Sequence, residues 1–267
     1  MTDKQNITGI ILSGGKSSRM GTDKGFLSFN GTLFMQHSIN ALNPLVSEII
    51  IVSNNTDYDV FGLNRIEDAI ENAGPLAGIY SGLKQSKTDY NLVLSCDVPL
   101  INSTVLQKLI DCIDDDSDII QIESQGKAMP LIAVYKKQCA PLFLKLLNAG
   151  ERRLQYAVNH CNVKNVVLHD EETYFTQNIN TPEQLNAILK MIITIKYFGL
   201  IAEITRQTEE TIDFSGNTIA NILELLYSKY PDLKNKDFKV AQNQELVSES
   251  TEITGQELAL LPPFSGG

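Results

Sequence analysis

Short and nearly continuous apolar runs alternate with amphipathic segments along the first 190 residues of the chain. Strands that are buried on both faces lack the regular polar positions of half-exposed strands, and these runs lack them too. The runs span residues 7–12, 48–53, 91–96, 118–123 and 131–135, and the amphipathic segments include 104–113 and 140–147. Because strands and helices alternate, we predict an α/β domain with a mostly parallel sheet and helices on both sides.

The pattern changes at the end of this region. Thr181 can cap a last helix, with Pro182 in its first turn and Gln184 completing a capping box. Beyond it, apolar residues alternate with polar ones, as in a half-buried strand. The predicted elements are a strand at 193–197, a polar hairpin at 207–210, a helix at 219–226 and a last strand at 258–261. They predict a small α+β domain in residues 191–267, preceded by a first domain in residues 1–190.

The charge and hydropathy of the chain exclude some classes of partner. The formal net charge is −10; residues 191–267 hold 6 Lys and Arg against 11 Asp and Glu, and the remainder holds 16 against 21. Neither part has the basic charge that nucleic-acid-binding proteins carry. No stretch resembles a transmembrane segment or a signal peptide, so we expect a cytoplasmic protein that contacts neither nucleic acid nor membrane.

The first predicted strand runs into a glycine-rich loop, Ser13-Gly14-Gly15, which is followed by Arg19 and Lys24. Paired glycines allow the backbone to turn sharply and to approach a ligand closely. Successive backbone N–H groups in such a loop can bind phosphate oxygens, and the two basic side chains add positive charge. The segment therefore predicts a polyphosphate-binding loop.

Other loop types fit this segment less well. The tripeptide Gly15-Lys16-Ser17 is similar to the end of a Walker A motif, but that motif requires a glycine at the position of Ile10. The dinucleotide-binding pattern GxGxxG does not match either. A glycine turn flanked by exposed basic residues is the remaining alternative.

Asp97 follows the apolar run 91–96 directly. Ligands of open α/β sheets bind outside the carboxyl ends of the strands, so we expect Asp97 to face the binding site. A carboxylate beside nucleotide phosphates is a suitable Mg²⁺ ligand, because this ion keeps several waters and needs only one or two protein carboxylates. The alternative is a strand-end aspartate that caps the turn before Pro99.

The string Leu12-x-Gly14-Gly15-x-Ser17-x-Arg19-Met20-Gly21-x-x-Lys24 resembles the signature loop of nucleotidyltransferases that make nucleotide sugars and dinucleotides. Among these enzymes it is most similar to the molybdenum cofactor guanylyltransferases, the MobA family. Further strings agree in order along residues 7–189: Ile66-Glu67-Asp68, Gly74-Pro75-Leu76-Ala77-Gly78, Cys96-Asp97-Val98-Pro99, Gly150-Glu151-Arg152-Arg153 and Asn178-Ile179-Asn180-Thr181-Pro182-Glu183. The resemblance implies a Rossmann-like nucleotidyltransferase domain.

The chain departs from the family pattern at a few positions. Ser13 stands where the family often has alanine, and Met129 precedes Pro130 where a polar residue is common. The family's asparagine near the end of the second strand corresponds to Asn54 or Asn55.

The resemblance implies Mg²⁺-dependent transfer of GMP from GTP to the terminal phosphate of molybdopterin, with release of pyrophosphate. Because the attacking phosphate is already an anion, catalysis needs positioning and charge neutralisation rather than a general base. The implied catalytic residues are Arg19, Lys24 and Asp97, with Asp97 as the metal ligand. The implied GTP contacts are Leu12, Ser13, Gly14, Gly15, Lys24, Asn54, Asp68, Gly78 and Asp97, and the implied molybdopterin contacts are Arg152, Arg153, Asn178 and Asn180.

The chain ends in Leu-Leu-Pro-Pro-Phe-Ser-Gly-Gly. This tail, the string Tyr197-Phe198-Gly199 and the predicted amphipathic helix resemble the small subunit of molybdopterin synthase, the MoaD family, which has a ubiquitin-like β-grasp fold. The resemblance implies that Gly267, next to Gly266, is adenylated and converted to a thiocarboxylate that donates sulfur. The implied partners of the tail are an E1-like adenylyltransferase and the large subunit of molybdopterin synthase.

Two alternatives remain open from the sequence. One keeps the enzyme class but changes the substrates: a cytidylyl or sugar-nucleotide transferase joined to a sulfur carrier of the thiamine or tRNA-thiolation type. The other is a degenerate nucleotide-binding scaffold attached to a sulfur carrier, against which the intact Gly14, Gly15, Lys24 and Asp97 argue.

Overall fold

A computed structural model describes residues 7–14, 23–70, 73–188, 190–216, 218–254 and 257–263. The chain divides into two compact units. One comprises residues 1–28 and 32–180, and the other comprises residues 29–31 and 181–267. Within the described ranges, no helix is both long enough and apolar enough to cross a bilayer.

The first part of the chain contains the strands β1 (Ile7–Leu12), β2 (Ser28–Phe29), β3 (Thr32–Leu33), β4 (Glu48–Val52), β5 (Asn64–Ile66), β6 (Tyr90–Ser95), β7 (Ile119–Ser124), β8 (Lys127–Lys136) and β9 (Val163–Val167). Seven of these form one sheet in the order β5-β4-β1-β6-β8-β7-β9. Strand β8 is antiparallel to both of its neighbours, and the other pairs are parallel. The predicted mostly parallel sheet is confirmed.

Helices cover both faces of this sheet. They are α1 (Phe34–Leu42), α2 (Gly74–Gln85), α3 (Ser103–Asp111), α4 (Ala140–Asn148) and α5 (Leu154–Val158). Residues of α1 and α3 share one hydrophobic core with one face of the strands, and residues of α2, α4 and α5 share a second core with the other face. Ile11 belongs to the first core and Ile10 to the second, which is why β1 has no polar face.

The order of the strands places a binding site at the ends of β1 and β6. Strand β1 lies between β4 and β6, so the chain winds outward from β1 in both directions. Two backbone hydrogen bonds extend the ladders past the strand ends: Ser13 N donates to Val52 O at 3.0 Å, and Cys96 N donates to Leu12 O at 3.1 Å. The residues after β1 and β6 therefore emerge side by side at a topological switch point, where ligands bind in this class of fold.

The second unit contains helices α6 (Pro182–Ile188), α7 (Leu200–Thr205) and α8 (Ile219–Lys229), and strands β10 (Lys190–Tyr197), β11 (Glu209–Ser215), β12 (Lys239–Gln242), β13 (Glu245–Val247) and β14 (Glu257–Leu261). The predicted capping box is confirmed, because Thr181 N donates to Gln184 Oε1 at 3.2 Å and Gln184 N donates to Thr181 Oγ1 at 3.3 Å. Inward-facing residues of β10 and β14 form a core with α8, which includes Ile195, Leu226 and Leu260.

The five strands of this unit pair in the order β11-β10-β14-β12-β13. The first and last strands, β10 and β14, are parallel and central, and the remaining pairs are antiparallel. A sheet of this topology packed against one main helix is a β-grasp fold, as predicted. The last strand is held on both sides, so the tail of the chain leaves from a well-supported position.

The predicted hairpin at 207–210 is wrong. Helix α7 lies between β10 and β11, and Glu209 and Glu210 belong to β11, opposite Lys196 and Ile195. Their polarity has a structural reason, since β11 is an edge strand and tolerates charges. Glu210 also accepts a hydrogen bond from the hydroxyl of Tyr197 at 2.5 Å.

Candidate active site

A cleft with a volume of about 820 Å³ lies at the carboxyl ends of β1, β4 and β6. It is lined by Leu12, Ser13, Gly14, Asp23, Val52, Ser53, Asn54, Asn55, Asp68, Gly74, Pro75, Gly78, Ser95, Asp97 and Leu131. The cleft thus brings together seven of the eight predicted nucleotide contacts that the structure describes, all except Lys24. Gly15 and Arg19 lie outside the described residues.

Lys24 projects from a short 3-10 turn, Lys24–Phe26, that follows the glycine-rich loop. Its ammonium lies 3.4 Å from Asp97 Oδ2 and also donates to Asn180 Oδ1. The two charged side chains are only 22% and 14% exposed. This pair joins residues 73 positions apart, at the point where a polyphosphate would meet the loop.

Asp97 is oriented from two sides. Ser95 Oγ donates to its Oδ1 at 2.7 Å, and Ile179 N donates to its backbone carbonyl at 2.8 Å. The contact with Lys24 is long for a charge-assisted hydrogen bond, which usually measures about 2.7–2.9 Å. The carboxylate therefore keeps acceptor capacity toward the cleft. The alternative role of a turn cap has no support among the described contacts of the Asp97 carboxylate, which are to the side chains of Ser95 and Lys24.

Asp68 follows β5 and faces the first turns of α2. Its backbone N–H donates to Asn54 Oδ1 at 2.9 Å, which holds the loop in place. Its Oδ1 is buried without a hydrogen-bond partner, and burial raises the pKa of this carboxyl group. A Cβ on Gly78 would lie 3.5 Å from Asp68 Oδ1 and 3.2 Å from Leu12 Cδ2, so a glycine keeps the space beside this carboxylate open.

Both candidate asparagines line the cleft. Asn54 supports Asp68, whereas the side chain of Asn55 accepts from Asp57 N at 3.0 Å and donates to Asp23 Oδ2 at 3.2 Å. Each therefore orients a different acidic residue of the site.

The predicted molybdopterin contacts are spread over three locations. Arg153 pairs with Glu151 through two hydrogen bonds of 2.9 and 2.6 Å, which lower the pKa of Glu151 to about 2. Arg152 donates to the carbonyls of Leu147 and Glu151, at 2.8 and 2.9 Å. Neither arginine is among the residues that line the cleft, and Asn178 is exposed. Asn180 instead contacts Lys24.

Three residues contribute to the site but were not predicted from the sequence: Asp23, Ser95 and Tyr58. Asp23 stands next to Lys24 in the signature string, and Ser95 stands two residues before Asp97 in a strand, so their spacing offered a weak signal. No sequence signal pointed to Tyr58, because its hydroxyl meets Asp23 only when the chain is folded.

The cleft offers carboxylate oxygens to a divalent metal ion. Within the described residues, no cluster of three or more His, Cys, Asp and Glu side chains could hold a metal. Magnesium requires fewer protein ligands, since phosphates and water complete its coordination. Asp97, with spare acceptor capacity at the mouth of the glycine-rich loop, is suited to this role.

Comparison with known proteins assigns both parts of the chain. Residues 9–162 match the family model "MobA-like NTP transferase domain", and residues 195–267 match the ThiS family. A probable molybdenum cofactor guanylyltransferase of Flavobacterium johnsoniae is 34% identical over 182 residues, which are 68% of this chain and 96% of that protein. A molybdenum cofactor guanylyltransferase of Vibrio parahaemolyticus is 33% identical over 179 residues, which are 66% of this chain and 91% of that protein.

Solved structures agree on the fold. The molybdopterin-guanine dinucleotide biosynthesis protein A from Archaeoglobus fulgidus superposes with a TM-score of 0.59 at 21% identity, over 67% of this chain and 95% of that one. A 4-diphosphocytidyl-2C-methyl-D-erythritol synthase from Anaerococcus prevotii gives 0.53 at 14% identity, over 68% and 96%. The resemblances inferred from the motifs are confirmed: the chain belongs to the molybdenum cofactor guanylyltransferases of the MobA-like nucleotidyltransferase family and carries a ThiS-family domain at its C-terminal end.

Proposed function

We propose that the first unit transfers GMP from GTP to molybdopterin in molybdenum cofactor biosynthesis. A phosphate oxygen of molybdopterin attacks the α-phosphorus of GTP, the bond to the β-phosphate breaks, and pyrophosphate leaves. The observation that carries the proposal is the half-buried pair of Lys24 and Asp97 between the ends of β1 and β6, beside the glycine-rich loop. A cation and a carboxylate at this position can act on the phosphates without a general base.

Asp68 supports guanine as the base. Its buried Oδ1 lacks a partner, and an unpartnered acceptor is costly unless a ligand satisfies it. The Watson–Crick edge of guanine presents two adjacent donors, N1–H and the exocyclic amino group, which match a carboxylate. Adenine and cytosine present only one donor group there beside an acceptor, which a carboxylate would repel.

Asp97 is the proposed ligand of Mg²⁺, which when bound would neutralise charge on the phosphates. Lys24 would contact the same phosphates from beside Asp97, and its contact with Asn180 orients it for that purpose. Arg19 and Gly15 complete the proposed phosphate contacts. The proposed contacts of molybdopterin are Arg152, Arg153, Asn178 and Asn180.

For the second unit we propose sulfur carriage, with a domain boundary near residues 190–191. The ThiS-family match and the central position of β14 support this, because a terminal carboxylate that enters a partner's active site needs a firm base. Gly267, after Gly266, is the proposed site of adenylation and thiocarboxylate formation. The proposed partners are an E1-like adenylyltransferase and the large subunit of molybdopterin synthase.

The test is direct. The protein is incubated with molybdopterin, Mg²⁺ and either GTP, CTP or ATP, and the dinucleotide product and pyrophosphate are measured by mass spectrometry and a coupled assay. We expect product with GTP at least about 100-fold faster than with the others, since a site built on hydrogen-bond complementarity discriminates strongly. A preference for CTP would replace the guanylyl proposal by the cytidylyl alternative.

A further inference from the structure

Asp23 lines the same cleft as Asp68 and Asp97, but its oxygens are used differently. Its Oδ1 accepts from Gly25 N at 3.2 Å and from the hydroxyl of Tyr58, and its Oδ2 accepts from Asn55 Nδ2 at 3.2 Å. A carboxylate has about four lone-pair positions, so three of those of Asp23 are occupied within the protein. This pattern is that of an anchor rather than of a free ligand for metal or substrate.

Tyr58 is built to hold this carboxylate. It lies in a 3-10 helix, Thr56–Phe61, that follows β4, and it is fully buried. Its ring stacks on Phe26 with centroids 4.7 Å apart. Burial raises the pKa of Tyr58, so the phenol stays protonated and remains a donor to Asp23.

The backbone next to Asp23 is shaped around the same hydroxyl. Gly25 passes so close to Tyr58 that a Cβ there would lie 2.2 Å from its hydroxyl oxygen, and only glycine fits. Asp23 also caps the turn that begins at Lys24, through its bond to Gly25 N. The turn that carries Lys24 is therefore capped by Asp23, and Asp23 is itself held by Tyr58 and Asn55 from the segment that follows β4.

We propose that Tyr58 is a positioning residue for nucleotidyl transfer: its hydroxyl, together with Asn55, holds Asp23 so that the ammonium of the neighbouring Lys24 stays beside Asp97. This inference rests on the proposed function of the cleft. Tyr58 acts on Lys24 through Asp23, and it does not need to contact the substrate. A buried residue 34 positions from Lys24 in sequence thus controls the geometry of a catalytic cation.

The rival explanation is that Tyr58 only stabilises the fold. Tyr58→Phe keeps the ring and its stacking on Phe26 but removes the donor. Phe61→Leu is the matched control, because Phe61 belongs to the same aromatic group, 6.1 Å from Tyr58, without any bond to Asp23. Both variants are compared for thermal stability, for kcat and KM with GTP, and for affinity toward a fluorescent GTP analogue.

The deciding measurement is a double-mutant cycle with Lys24→Ala. Losing a hydrogen bond to a charged group is expected to lower kcat/KM about 10- to 100-fold in Tyr58→Phe, with no comparable loss in Phe61→Leu. If Tyr58 acts through Lys24, the double variant is as slow as Lys24→Ala alone, within about twofold. Multiplicative losses would overturn the proposal, as would full activity of Tyr58→Phe.

The affinity cycle separates this inference from the proposed function. If no nucleotide is transferred by the wild-type protein, guanylyl transfer fails, but non-additive losses of affinity for the GTP analogue would still support positioning. If transfer is normal and both cycles are additive, only the positioning role fails. Should Tyr58→Phe not fold, Asn55→Ala enters the same two cycles, because it removes the other side-chain donor to Asp23.

Discussion

Three acidic residues of one cleft have three different environments. Asp97 is oriented by Ser95 and faces Lys24, Asp68 keeps one oxygen unsatisfied, and Asp23 accepts three hydrogen bonds from within the protein. All three are aspartates, yet the number of lone pairs left free on their carboxylates differs. Their chemical roles follow from that difference, and each role leads to a separate expectation.

Asp97→Ala should leave a folded protein without Mg²⁺-dependent guanylyl transfer. Asp97 belongs to neither hydrophobic core of the first unit, so its removal should leave the fold intact while it takes away the proposed metal ligand. The measurement is product formation at saturating GTP and Mg²⁺, with a thermal melt as the stability control. Asp116→Ala, an exposed carboxylate after α3, is the matched variant and should retain activity. Near-normal turnover of Asp97→Ala would contradict the metal assignment.

Asp68→Asn should lose guanine selectivity and gain stability. The amide can accept only one of the two guanine donors, so kcat/KM for GTP should fall about 10- to 100-fold. Because burial raises the pKa of Asp68, its ionised form is a cost to the folded state at neutral pH. That cost fades as the pH falls through the raised pKa of the folded state, and it is gone below the pKa of the unfolded chain.

The Tm of Asp68→Asn should therefore exceed that of the wild type at pH 7, and the difference should shrink on acidification. Glu67→Gln, on the exposed neighbouring position, serves as control and should change neither quantity. A lower Tm for Asp68→Asn at neutral pH would mean that its carboxylate has a partner in the protein.

At the scale of elements, helix α2 packs closely on β1 and also forms a wall of the cleft. Two of its glycines lie one turn apart. Gly82 allows the close packing on β1, and Gly78 lies at the cleft. A Cβ at Gly82 would lie 2.6 Å from Ile10, which is fully buried, while a Cβ at Gly78 would face Leu12 and Asp68 at the cleft. The same substitution should therefore have different consequences on the two turns.

Gly82→Ala should destabilise the protein by about 1–3 kcal/mol through overpacking, partly offset by about 1 kcal/mol of helix propensity. Gly78→Ala should leave Tm nearly unchanged and weaken GTP binding instead. Denaturant unfolding and titration with a fluorescent GTP analogue measure the two effects. Equal loss of stability in both variants would show that the cleft wall and the core contact are not separable.

At the scale of the whole molecule, two units with separate hydrophobic cores occur in one chain. The buried residues of the two cores in the first unit extend to Leu168. The buried residues of the core in the second unit begin at Ile193. Independent cores predict that a change confined to the tail of the second unit leaves the first unit's chemistry intact.

Deletion of Gly266 and Gly267, or addition of a residue after Gly267, should abolish sulfur transfer without affecting guanylyl transfer. In the proposed sulfur-carrier role the activated group is the main-chain carboxylate of Gly267, and an added residue would move it. Reconstitution of molybdopterin synthesis with the two proposed partners, ATP and sulfide tests this, with guanylyl transfer by the same preparations as internal control. Synthesis by the truncated chain would show that the tail is not the sulfur carrier.

Local signals in the sequence predicted a large part of this protein. The first strand was predicted with its observed limits, and the capping box of Thr181 and Gln184 formed as expected. The glycine-rich loop, Lys24 and Asp97 were identified from the signature strings. These features depend on residues close together in the chain, or on motifs whose spacing is itself the signal.

The antiparallel direction of β8 could not be predicted from the hydrophobic pattern. Strands β7 and β8 are joined by only Gln125 and Gly126, with φ of 52° and 71°. This is the positive-φ pair of a tight hairpin, and it reverses one strand within an otherwise parallel sheet. Apolar runs look the same in either direction, so the sequence pattern did not distinguish them.

What only the tertiary structure decided is which polar groups meet and which remain unsatisfied. Tyr58 reaches Asp23 across 35 positions, and Lys24 reaches Asp97 across 73. Such contacts depend on the order of strands in the sheet and on the exclusion of water, and no local pattern encodes either. The sequence by itself determined the family and the alternation of strands and helices in the first domain, and it supplied the candidate residues for the chemistry. Packing alone determined that Asp23 is anchored and that Asp68 keeps a free oxygen, because hydrogen-bond satisfaction is a property of the assembled fold.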